Sequence, residues 1–219
     1  GNLEMHTGDS TRGRAGEITV SSGDTQIGDG SDVVVSAGAT IDEYAFAGRA
    51  IVAGGNGEGE RHAAGGDVAL LGGIGDDGGG NVVAASGGSA RGPSGSISLS
   101  TANSQSAESG DITSQTGATQ RSSGSISVRT GSAIMENSGS IELTTEDSAH
   151  GSGGAIDIVA GTARKGGSGG AVSISSGSGS SAGSLALRAG DATNGVAGDL
   201  LAAAGYSEGR EGGTLGMSA

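Results

Sequence analysis

The chain contains no cysteine, no tryptophan, a single proline and only three aromatic residues, Tyr44, Phe46 and Tyr206. Without cysteine there are neither disulfides nor thiolate metal sites. A conventional core for 219 residues needs many more large apolar side chains, because aromatics and leucine supply most of the buried area that offsets conformational entropy. Basic residues are scarce as well, eleven against 24 acids, for a net charge of −13. Such a surface repels nucleic acid and anionic lipid and suits divalent cations or a basic partner. No apolar run approaches the roughly 18 residues needed to span a bilayer, and no basic–apolar–small signal pattern opens the chain at Gly1. Neither a nucleic-acid partner nor membrane insertion is expected.

What is abundant is glycine, 49 residues of it. With one proline and no Gly-X-Y period, collagen is excluded, which leaves disorder or a fold that needs glycine at fixed turns. The repeat decides between them. The unit reads G-x-[IVL]-x-[IVL]-x-x-G followed by a return of about seven small or polar residues, and is clearest in Gly124–Gly131 and Gly154–Gly161. A first apolar slot recurs fifteen times from Leu3 to Leu215, with only Ala50 not a large aliphatic. A second slot follows two residues later, from Met5 to Met217. These 30 positions hold 26 of the 38 Val, Ile, Leu and Met residues, a concentration that disorder does not produce.

First slots are spaced mostly 15 residues apart, with longer spacings of 17 and 18 before Ala50 and Val68, so insertions fall in the returns. An apolar pair at i and i+2 is strand periodicity, since both side chains share one face. The pairs are bracketed by glycine, as at Gly16, Gly48 and Gly66, with Ser31 the exception, at positions suited to positive φ or to tight backbone approach. The expected fold is therefore all-β: one domain over 1–219, a parallel β-solenoid (β-helix) of about 15 coils of about 15 residues. It would have a narrow core of Ile/Val/Leu ladders and pairing of each strand with the next. Its ends carry no caps, which predicts head-to-tail self-association or membership of a longer chain, with lateral bundling as a further mode.

Candidate chemistry is sparse. His6, His62 and His150 fall at three different positions in the repeat, so they do not converge, and solvated surface positions are the simpler reading. Gly72-Gly-Ile-Gly75-Asp76-Asp77 matches half of a calcium-binding G-G-x-G-x-D nonapeptide, and Gly54-Gly-Asn-Gly57-Glu58 comes close. Asp76, Asp77 and Glu58 are thus the calcium candidates; the alternative is an acidic turn. The G-x-G-x-x-G string from Gly73 to Gly78 lacks the helix that nucleotide binding requires. The pairs Asp42/Glu43 and Glu58/Glu60 add loosely held divalent ions, calcium among them, as a further reading. Arg12, Arg61, Arg91, Arg121 and Arg210 lie five to seven residues before a first slot, where they are expected to pair with acids of neighbouring coils or subunits. No catalytic residue and no cofactor is predicted. The position between the slots runs Thr19, Val34, Ile51, Ala69 and onward through Glu142 and Asp157, too irregular for the flat threonine ladder of an ice-binding face.

Segments such as Ser94–Thr101, Ser123–Gly131 and Gly169–Gly177 resemble the S-G-S-I-S-L-S-T-G repeats of long secreted Gly/Ser-rich proteins of diatoms and other algae. The likeness covers nearly the whole chain and is least close in the first ninety residues. It implies an extracellular or cell-surface role in a matrix, fibre or appendage, and no catalytic residue comes with it. Two functions follow as expectations: a structural filament or adhesive rod, or a module that binds a surface such as ice or polysaccharide, or acts as a calcium-dependent adhesin. An enzyme is not expected.

Overall fold

The computed structural model describes residues 1–58 and 63–217. It divides into two units, Gly1–Thr113 and Ser114–Ala219. Each unit alternates two kinds of piece: a straight segment carrying the two aliphatic slots, in which the backbone neither bends nor turns, and a return that bends once and is closed at its base.

In the first unit the closing contacts are main-chain bonds from Gly48, Gly66, Gly80 and Gly95 N–H to the carbonyls of Gly38, Gly55, Gly73 and Gly87, at 2.8–2.9 Å. Two earlier returns use a side chain instead: Thr7 Oγ1 donates to Gly16 O at 3.2 Å and Ser22 Oγ to Ser31 O at 2.9 Å. The second unit repeats the scheme. Gly170, Gly183, Gly198 and Gly213 donate to Gly161, Gly177, Gly190 and Gly205, and Thr145 Oγ1 donates to Gly154 O at 3.3 Å. At Gly110, Gly124 and Gly139 the glycine packs on the methyl group of Thr101, Thr116 and Thr130, where an added Cβ would sit 3.5–3.8 Å away.

In every return the second closing residue lies two positions before a first slot, as Gly124 does before Ile126 and Gly170 before Val172. Loop length varies while this anchor does not. The closing bond spans six residues at Gly177–Gly183 and eleven at Gly55–Gly66. From that anchor the next return opens at the seventh residue where a Thr or Ser stands at its base, as at Ser22 and Thr130, or at the eighth where a glycine carbonyl does, as at Gly161 and Gly205.

This overturns the expected β-solenoid and β-helix. Among the described residues there is no helix and no strand, and no main-chain hydrogen bond links one straight segment to another. Nor is any side chain among them buried, so the aliphatic ladders form no core. The chain exposes 22602 Å². A folded chain of this mass would expose about 9,000 Å² and an unfolded one about 30,000 Å². Two large aliphatics per repeat, with glycine, serine and alanine in the return, offer only a thin core. The returns close on themselves instead.

The bracketing glycines have a physical reason that differs from the expected turn geometry. Among the described residues positive φ occurs only at Gly13, Gly28 and Gly166, all at return tips. At some return bases the requirement is close approach, whereas the accepting glycines, such as Gly38, Gly55, Gly73 and Gly161, have open space where a Cβ would stand. A Cβ on Gly54 would lie 2.0 Å from Gly66 O and one on Gly72 would lie 2.3 Å from Gly80 O, both immovable backbone atoms. Such contacts leave room for hydrogen alone.

Return tips bend where a hydroxyl captures a nearby amide. Ser89 Oγ accepts from Gly92 N at 2.9 Å, Ser148 Oγ from Gly151 N at 2.9 Å, and Ser207 Oγ from Arg210 N at 3.2 Å. Each of these serines stands eight residues before a first slot. Short local bonds of this type compete with regular secondary structure, which is why such residues mark turns.

Candidate interaction surface

The straight segments hold the aliphatic side chains in a graded exposure. Beyond the first segment, the large first-slot residues range from 46% exposed at Ile156 to 66% at Leu200, while return residues such as Ile41 and Phe46 stand at 104% and 99%. Second slots are more open than first slots in most segments, as Leu143 is beside Ile141. What remains uncovered is a pair of aliphatic flanks on a stretch of main chain whose amides and carbonyls have no partner within the described chain.

The calcium candidates are placed apart. Asp76 and Asp77 form the bend of the Gly73–Gly80 return, and Glu58 lies in the Gly55–Gly66 return. Among the described residues no three His, Asp or Glu side chains gather into a metal-binding group. The two G-G-x-G strings have another explanation in the geometry. In both returns a second close approach follows three residues after the first: a Cβ on Gly57 would lie 2.5 Å from Ala64 O, and one on Gly75 would lie 2.4 Å from Gly78 O. The first and last glycines of each string mark two successive points at which opposite sides of a narrow loop touch. Asp42 also serves its own loop, where Oδ1 accepts from Tyr44 N at 2.9 Å.

His6 and His150 are exposed and lie in different repeats, His150 at a return bend. His62, Glu60 and Arg61 lie outside the described residues. Arg12, Arg91, Arg121 and Arg210 all sit at return bends, but they do not make the expected ion pairs with neighbouring repeats. Among the described residues the one salt bridge joins Arg188 to Asp191, three residues on and exposed at both ends. A pair of that kind contributes little to stability. Reading the sequence for chemistry also passed over the tip serines, Ser89, Ser148 and Ser207. Their signal was available as a hydroxyl two or three residues ahead of an arginine or glycine, at one fixed position of the repeat.

Charge divides unevenly between the units. Gly1–Thr113 carries five bases and fifteen acids, net −10, and Ser114–Ala219 six bases and nine acids, net −3. Four segments of the first unit begin with an acid just before the first slot, Glu17, Asp32, Asp67 and Asp111, against Asp199 alone in the second. Compared with family models, with curated proteins and with solved structures, the chain matches none of them.

Proposed function

We propose that this chain is a structural, self-associating protein of an extracellular matrix or cell surface, working as a filament or adhesive element without catalysis. The observation that carries the reading is the repetition of one surface unit: a straight segment of seven or eight residues with the same aliphatic pair, set between returns that close on themselves. A surface repeated fifteen times at near-constant length suits assembly, in which each contact is weak and the number of contacts is large. The resemblance of Ser94–Thr101 and Ser123–Gly131 to secreted algal repeats supports the extracellular setting.

Electron microscopy of the purified full chain, without added ligand, tests the reading. Filaments or ordered bundles are the expected result. Discrete single molecules at all concentrations, together with retention on a polysaccharide or mineral surface, would replace it with a surface-binding module.

A further inference from the structure

We propose, resting on the self-associating reading above, that the straight segments are the joining elements: each takes the equivalent segment of a second copy of this chain along its length, main chain to main chain and aliphatic pair to aliphatic pair.

Three observations lead there. Between the closing contacts of one return and the next, the main-chain amides and carbonyls of each described segment have no partner in the chain. In the returns, by contrast, local bonds hold the base and, in many cases, the tip. Straight main chain with unmet donors and acceptors is the surface on which another chain of the same conformation adds. The aliphatic pairs flank that main chain half-exposed, beside amides that need the same partner.

The occupant follows from length and from area. Counted between closing residues, the segments are seven or eight residues long, whereas the returns span six to eleven. A second copy offers the same length, the same alternation and the same repeat, so matching one segment leaves its neighbours equally matched. The second unit alone carries thirteen large aliphatics in its slots, Ile126 to Met217. At roughly 60 Å² of apolar surface each, the low end of what such a side chain contributes, they supply close to the ~800 Å² per partner of a stable interface. No segment carries more than one acid: Glu4, Glu142 and Asp157 stand between the slots, and Glu17, Asp32, Asp67, Asp111 and Asp199 just before the first slot. The net −13 opposes it at long range, which makes the association salt-dependent.

Sedimentation of the full chain over a concentration series, at about 20 mM and about 500 mM NaCl, measures the association, with tighter assembly expected at the higher salt. Ile126→Asp combined with Ile141→Asp and Ile156→Asp should weaken it at least about tenfold, because a carboxylate would have to be desolvated at each contact. Ser127→Pro combined with Glu142→Pro and Asp157→Pro keeps every aliphatic and removes three amide donors, and should weaken it comparably. Ser122→Asp with Ser152→Asp, placed in returns, should leave it within about twofold. In the assembled state the amides of Ile126 to Arg129 should exchange more slowly than in dilute solution. Assembly undiminished in both triple variants, with those amides exchanging freely, would mean that copies join elsewhere, and the inference fails while the filament reading survives. A chain that stays monomeric at every salt and concentration ends both. Association lost in the triple variants but limited to discrete dimers in the microscope upholds the contact and ends the filament reading.

Discussion

Returns and straight segments answer opposite needs with the same few residue types. A return spans anywhere from six to eleven residues between its closing groups, yet it meets its own requirements through a base contact and a bend. A segment stays within one residue of the same length and leaves its main chain and its aliphatic pair unpartnered among the described residues. Under the self-association proposed above, the near-constant segments are the pieces a second copy has to match, and the variable returns are the pieces it does not.

The sharpest way to break this contrast is insertion. Two residues inserted between Ser127 and Val128 should abolish registry with a second copy and reduce self-association by about tenfold or more, whereas two inserted between Gly179 and Ser180, at a return bend, should leave it unchanged; sedimentation reads both. Next in size is Gly72→Ala. Its Cβ would meet Gly80 O at 2.3 Å, so the loop must open, and exchange of the Gly80 amide should accelerate by about tenfold, the equivalent of one net hydrogen bond of ~1.4 kcal/mol. Gly48→Ala is the milder counterpart, because the nearest atoms lie at 3.3–3.4 Å and one of them is a methyl. Acceleration at its own amide should stay below about threefold, and an effect as large as that at Gly72 would show that close approach is not what selects glycine there. Ser89→Ala removes the hydroxyl that holds Gly92 N and Arg91 N, and should loosen that bend by ~0.5–1 kcal/mol, seen as faster exchange of the Gly92 amide and, less strongly, of the Arg91 amide. Smallest of all is Ser127→Asp. It adds an acid where Glu142 and Asp157 already stand in neighbouring repeats, and both amide exchange and assembly should be nearly unmoved.

The repeat itself was legible from the residues. The two slots, the glycine two positions before each first slot and the placing of insertions in the returns all correspond to physical features: graded exposure, a base contact and a variable loop. The fold drawn from them was not. An i, i+2 apolar pair reports that a backbone is straight and two-faced, but it does not say what lies against the apolar face. Ile126 and Val128 read as inward rungs because a single chain was assumed to supply their cover, and in the structure both stay more than half exposed. The G-G-x-G strings carry two readings. Gly72 and Gly75 fit a calcium motif by letter, and the same glycines are demanded by two backbone contacts that sequence spacing does not display. The tip serines were missed because a hydroxyl-to-amide bond two or three residues long leaves no periodic trace unless its place in the repeat is compared.

The single-bond closures also give the chain a mechanical character. Drawn out by its ends, it would yield loop by loop: among the described residues eight loops each give up one main-chain bond and three a hydroxyl bond, releasing the slack held behind it. A loop such as the one between Gly161 and Gly170 stores roughly 25–30 Å of contour beyond the distance its base already spans. Because the loops differ in size and their fastenings differ in kind, tension would be absorbed in unequal steps, and the fastenings re-form when the load is released. A chain closed this way lengthens and dissipates work before any covalent bond is strained.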